Sequence, residues 1–229
     1  VNNLSAIINT NTKEIVFSLT MLVSFFSIFL SYNLFFIKNK NISFFQEDIL
    51  LLIYFITLLI FFYLLFNFDY NFSVILLSLV SSISNIGISL EQSPKNLSFI
   101  FLILIIIGGS FFSTSSGVRL LKLYALFKFS INNLISHVKP KNIFLNKHFF
   151  LNINFEKDEI SRYFLSVLIF IISLFILTSF LAITGISLES SFKLSILTLM
   201  NTVNSSMHGL SDFNFQELQF FTKYYLIFF

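Results

Sequence analysis

Ile107-Gly108-Gly109-Ser110-Phe111-Phe112-Ser113-Thr114-Ser115-Ser116-Gly117-Val118-Arg119 is the stretch that decides how this chain folds. It separates two apolar runs, Leu97–Ile107 and Val118–Phe129, the second carrying Arg119, Lys122 and Lys128. It holds three of the chain's six glycines and five hydroxyl side chains. A simple helix kink needs one glycine. The stretch reads instead as a membrane helix broken by a flexible polar loop that could plug or gate a path. The plainer reading is a surface loop between helices. It leaves Leu97–Ile107 too short to cross a bilayer core, which takes about 20 helical residues.

Composition supports the membrane reading. Hydrophobic residues make up 56% of the 229 and charged residues 11%, against about 25% charged in soluble domains. An ordinary cytosolic enzyme and a disordered tail are therefore excluded. The absence of Cys excludes disulfides and cysteine-ligated metals. The net charge of +3 gives no reason to expect nucleic-acid binding. The chain opens at Val1 in polar sequence and closes at Phe229 within an apolar run, and so reads as a piece of a longer protein.

Three charge-free runs are long enough to span: Ile15–Ile37, Ile49–Asn67 and Tyr163–Ser187. Phe220–Phe229 reads as the start of another helix. Phe72–Ser84 and Ser191–Val203, about 13 residues each, have the length of re-entrant helices rather than spans. Eight Lys or Arg lie between Arg119 and Arg162, and Lys38 and Lys40 fall in the loop Lys38–Asp48. These loops read as cytoplasmic by the positive-inside rule. Asp69, Glu91, Glu189 and Asp212 then face outward. The topology closes if the two short segments enter and leave on that outer face.

The two halves match at a shift of 120 positions. Phe55-Ile56 falls on Phe175-Ile176, Asp69 on Glu189 and Phe72 on Phe192. Leu77-Ser78-Leu79-Val80-Ser81-Ser82-Ile83 falls on Leu197-Thr198-Leu199-Met200-Asn201-Thr202-Val203. Repeats of this kind commonly place a substrate site at their interface. Non-helical backbone at membrane depth is tolerated where protein buries it or water lines it. Its carbonyls can replace a cation's hydration shell, and the carboxyl end of a helix favours a cation.

The first turn is Ser84-Asn85-Ile86-Gly87-Ile88-Ser89, where Gly87 permits a positive φ or simply caps the helix. The second is Asn204-Ser205-Ser206-Met207-His208-Gly209. His208 could be a ligand or a proton carrier, but no second His or carboxylate accompanies it. His137 and His148 fall in the basic loop and read as solvated. No nucleophile–His–acid spacing appears, and no charge lies within the full spans, so neither an enzyme nor a proton pump is expected. Asp69 and Glu189 could concentrate cations at an outer mouth or simply complement the short helices' amino ends. The alternative class is a multi-pass assembly subunit or membrane enzyme without a pore.

Ile107 to Arg119 resembles the IGG-x-x-GSTGGG-(I/L)-K signature of the TrkH/KtrB potassium transporters. Thr202 to Leu210 resembles that family's fourth filter, T-L-N-N-x-G-P-G-L, and Ser84 to Ser89 its third, T-T-A-G-F-(T/S). The resemblance implies an all-α membrane fold of tandem span–pore-loop–span units, four-fold pseudosymmetric and incomplete here. Residues 1–48 would hold the last helix of a preceding unit and a cytoplasmic loop. Residues 49–159 would form the third unit with its broken helix and basic loop, and residues 160–229 most of the fourth. It implies uptake of K+, or Na+, across a bacterial inner membrane, with no cofactor. Ser84, Asn85, Ile86, Gly87 and Ile88 would form one filter turn, and Asn204, Ser205, Ser206, Met207 and Gly209 the other. The ion would rest at Asn85, Ile86, Gly87, Ser205 and Ser206. Gly108, Gly109, Ser110, Ser113, Thr114, Ser115, Ser116 and Gly117 would form the gate loop. Membrane lipid, a second copy in a homodimer and a cytoplasmic nucleotide-binding regulatory subunit are the implied partners. Two departures stand out. Met207 falls where the family has a filter glycine, which predicts a strained, narrowed turn and weak K+ selectivity. The loop has lost three glycines, which predicts a stiffer gate.

Overall fold

The computed structural model describes residues 8, 10–26, 42–66, 70–88, 98–110, 113, 115–138, 157–202, 206–210, 218 and 220–228. They are mostly helical. In chain order the elements are α1 (Asn11–Phe25), α2 (Ile42–Phe66), α3 (Phe72–Ile83), α4 (Ser98–Ile106), β1 (Ile107–Gly108) and β2 (Val118–Arg119). They continue with α5 (Leu120–Val138), α6 (Lys157–Ile183), α7 (Leu188–Leu199), a 3-10 turn (Ser206–His208) and α8 (Phe220–Phe228).

Two helices are long and apolar enough to cross a membrane, α2 through Glu47–Leu65 and α6 through Lys157–Ile183. The 19 residues of the first rise about 28 Å, close to the thickness of a hydrocarbon core. Much of their surface is bare of protein: Leu52, Ile53, Ile56 and Leu64 on α2, and Phe164, Ile169, Ile172 and Phe175 on α6, are all exposed. Both helices begin ahead of their apolar runs, at Ile42 rather than Ile49 and at Lys157 rather than Tyr163. Glu47 and Asp48, read as loop, are thus helical. Asp158 and Glu159 suit the amino end of α6, where carboxylates complement the helix dipole. Of the expected span Ile15–Ile37, only α1 and Phe26 are described. The basic loop over 139–156, with Lys139, Lys141, Lys147 and His148, lies outside the described residues, as do Asp69, Glu91 and Asp212.

The two short helices are separate elements of 12 residues each, about 18 Å at helical rise and too short to span. The first matches the expected Phe72–Ser84. The second is shifted: it covers Leu188–Leu199, not Ser191–Val203. Ser187 starts it early by accepting the Ser190 N–H at 3.3 Å. Asn201 stops it early by taking φ 51°.

The caps of the two short helices therefore lie 116 positions apart, not 120. Asn71 and Ser187 are the paired amino caps (ψ 144° in each), and Ser84 and Met200 the paired carboxyl caps (ψ −2° and 0°). Ser84 N–H donates to Val80 O at 2.9 Å, as Met200 N–H does to Ile196 O at 2.9 Å. Ile86 N–H reaches Ser81 O, as Thr202 N–H reaches Leu197 O. The lettered match at 120 arose because both segments alternate Leu with small hydroxyl residues. Caps set a helix's limits, and the caps lie four residues closer.

Helix α4 lies between the short helices. Phe101 and Leu104 join a core with Met21 and Phe25 of α1, Phe62 of α2, and Ile75, Leu79, Val80 and Ile83 of α3. Leu102 and Ile105 join a second core with Leu174, Leu177 and Leu181 of α6 and Leu194, Ile196 and Leu197 of α7. Nearly every residue of α3 is buried, serines included. Ser78 Oγ donates to Val74 O and Ser82 Oγ to Ser78 O, both at 2.9 Å, so these hydroxyls are satisfied within their own helix. Small side chains let neighbouring helices approach closely, and α1 packs along α3.

Candidate functional site

The end of α3, the broken stretch after α4 and the end of α7 meet at Ser116. Asn85 follows α3 in left-handed conformation, φ 60°, which Asn tolerates better than most residues. Its side-chain amide donates to Ser116 O at 2.6 Å and to Ser116 Oγ at 2.9 Å. The Ser116 hydroxyl in turn donates to Met200 O, the carbonyl beyond the last residue of α7. Thr202 Oγ1 also donates to that carbonyl, at 3.3 Å. One loop serine thus ties together the carboxyl ends of both short helices.

The chain leaves helical geometry at Ile107 and resumes it at Leu120. In between, Ile107 and Gly108 pair in parallel with Val118 and Arg119. The exit and return strands lie side by side, and the loop hangs between them. Arg119 is on β2 and Lys122 on α5. Gly109 N–H donates to Ser115 Oγ at 2.8 Å, Ser113 Oγ to Ser110 O at 2.8 Å, and the Ser113 and Ser115 hydroxyls bond each other at 3.0 Å. Ser110 N–H donates to Phe25 O at 3.1 Å, docking the loop on α1. A methyl group on Gly108 would meet Ser116 O at 2.7 Å, and one on Gly117 would meet Ile106 O at 2.7 Å. Gly108 and Gly117 stand where the close strand approach leaves no room for a side chain. The hydroxyls of Ser113 and Ser115 hold the loop together.

The first turn closes on α3 itself. Ile86 and Gly87 N–H both donate to Ser81 O, at 3.2 and 3.4 Å, and Ser84 Oγ donates to Val80 O at 2.7 Å. Gly87 takes φ 75°. Ser81 Oγ and Asn85 Oδ1 at this turn, and Ser110 Oγ in the loop, are buried oxygens without a hydrogen-bond partner among the described residues. A buried polar group left so is costly.

The second turn departs from expectation. Met207 has no positive φ; the left-handed residues here are Asn201 and Gly209, the latter at φ 71°. Met207 is fully buried in the α1–α3–α4 core, its sulfur 3.9 Å from Ser82 Oγ. Burial of an apolar thioether favours such a place over a polar turn, so Met207 packs in the core without the positive φ expected of a strained turn. Ser206 belongs to the 3-10 turn. Asn204, Ser205 and Thr114 lie outside the described residues, as do Phe111 and Phe112. His208 is fully buried, and burial pushes its imidazole down to about 4, which keeps it neutral. Among the described residues, no group of three or more His, Cys, Asp or Glu could hold a metal ion.

Glu189 belongs to the first turn of α7, and Lys193 Nζ reaches its Oε1 at 2.5 Å. The ammonium holds the exposed Glu189 carboxyl below the usual range, through its hydrogen bond and then its charge. Lys193 also reaches Gly209 O at 3.4 Å.

Sequence reasoning named Asn85 and Ser116, which the structure brings together, and Gly108 and Gly117, which it pairs. It missed the Met200 and Phe25 carbonyls and Lys193. Asn201, a residue that accepts left-handed geometry at the end of an apolar run, was the available signal for Met200. Nothing local marks Phe25, since its contribution is backbone. No protein-family model matches the chain, and no curated protein matches it.

Proposed function

We propose that this chain carries a monovalent cation, K+ or Na+, across a bacterial inner membrane as part of a multi-pass transporter related to the TrkH/KtrB group. The single observation that carries the reading is Ser116, which joins a mid-chain helix break to the carboxyl ends of two short helices. Helix carboxyl ends favour cations, and irregular backbone at membrane depth belongs where it lines a path. The buried oxygens of Ser81, Asn85 and Ser110 give such a path polar lining. In this reading the first turn holds the ion, and the loop closes the way below it until Ser116 releases Asn85 and Met200. A homodimer and a cytoplasmic nucleotide-binding regulator follow from the same relationship.

The test is rubidium uptake in cells lacking their own potassium uptake. The chain, expressed with whatever flanking sequence its gene encodes, should support saturable uptake. Deleting Phe112–Ser116 should raise cation leak. No uptake by a protein that reaches the membrane overturns the transport reading. Unchanged flux in the deletion variant overturns the gate alone.

A further inference from the structure

We infer that the Lys193 ammonium is a tethered cation at the second turn, set on the Gly209 carbonyl and tuned by Glu189, and that it limits entry of free cations there. The inference rests on the transport reading above.

A Glu placed four residues before a Lys is ordinarily a weak helix-surface pair. The geometry here is different. The Lys193 side chain is 15% exposed while that of Glu189 is 78% exposed. The stem of Lys193 is largely covered, and its ammonium reaches, besides Glu189, the backbone carbonyl of the exposed Gly209, 16 positions along the chain. Gly209 presents that carbonyl from a left-handed conformation. A side chain at Gly209 would press on Lys193 Nζ and Ser98 Oγ, both at 3.1 Å. The site is thus built from a glycine, a carbonyl and a cation on a stem.

A primary ammonium and a dehydrated monovalent metal ion seek the same partner, a carbonyl oxygen. Where the protein supplies its own cation, a free one must compete for the carbonyl and approach a like charge. At separations of a few ångströms, that repulsion is strong enough to alter half-saturation severalfold. Glu189 offsets it, and being exposed it can do so only while it stays on Lys193.

Rubidium uptake is measured on the full chain in cells lacking their own potassium uptake. Lys193→Met should lower the half-saturating concentration by roughly three- to tenfold, and Lys193→Arg should not. Glu189→Gln should raise it, and the same change in a Lys193→Met background should have no effect, since Glu189 acts through Lys193. Half-saturation in Lys193→Met equal to or above the unmodified chain overturns the inference and leaves the transport reading intact. If Lys193→Met does not reach the membrane, Glu189→Gln decides: half-saturation no higher than that of the unmodified chain overturns it. No uptake by the unmodified chain overturns both.

Discussion

The Asn85 side-chain amide gives both of its hydrogen bonds to one residue, Ser116, donating to the backbone oxygen at 2.6 Å and to the hydroxyl at 2.9 Å. The two lie 31 positions apart, one at the end of a short helix and the other in a break between two helices. The pair fixes the loop against α3, and the hydroxyl carries the connection on to Met200. Any motion of the loop has to break it.

Asn85 has two roles that substitution can separate. Asn85→Gly keeps the left-handed turn and loses the amide, so it should cost about 1–3 kcal/mol, the penalty for an unpaired buried partner. Asn85→Leu loses the amide and adds roughly 1–2 kcal/mol of backbone strain. Thermal unfolding in detergent should therefore rank the native chain above Asn85→Gly, and Asn85→Gly above Asn85→Leu. Equal effects would mean that φ 60° contributes nothing.

Gly109 and Gly185 differ in what surrounds them. A methyl group on Gly109 would collide with Phe25 O and crowd Ser115 Oγ and Ser113 Oγ. Gly109→Ala should break the Ser110–Phe25 bond and destabilise by roughly 1–3 kcal/mol, with faster proteolysis at the loop. Gly185 has φ 91° and nothing within 4 Å of the added atom. Gly185→Ala should show backbone strain alone, about 1–2 kcal/mol, and leave loop proteolysis unchanged.

Met207 should behave as core. Met207→Gly empties a fully buried position among Val80, Ile83, Phe101 and Leu104 and should lose about 2–5 kcal/mol, the range for truncating a buried Met. Met207→Leu should stay within about 1.5 kcal/mol. If Met207→Gly keeps its stability and sharpens the preference for rubidium over sodium, the residue lines a filter after all.

Much of this arrangement was legible in the residues. Uncharged runs marked the two long helices, because burial in lipid demands apolar length. Glycines with hydroxyls marked the break, because close strand approach at Gly108 and Gly117 forbids a side chain. The position of the second short helix was not legible from its apolar letters. Ser187 and Asn201 decide it, and their signals are single residues within a run of similar composition. The fate of Met207 was hidden for another reason. Its motif position suggested a turn, whereas tertiary packing against Ser82 and Ile83 settled it. The bond from Ser110 to Phe25 lies wholly in backbone atoms, so no side chain announces it.

His208 provides a pH test with a definite sign. Its imidazole is fully buried, and burial lowers it from the ordinary 6.5 to about 4. In the unfolded chain the ring takes a proton below about 6.5; in the folded chain it resists until about 4. Between those values the unfolded state binds more protons, so stability rises with pH across the window. Native stability should be full above about pH 6.5 and fall as pH drops toward 4, by up to ~3 kcal/mol from this residue. His208→Gln keeps a polar side chain of similar reach and cannot take up the proton. Thermal unfolding in detergent at about pH 7 and about pH 5 should show a larger drop for the native chain than for His208→Gln. Parallel drops in the two proteins would mean that protonation of His208 is no harder in the fold than out of it.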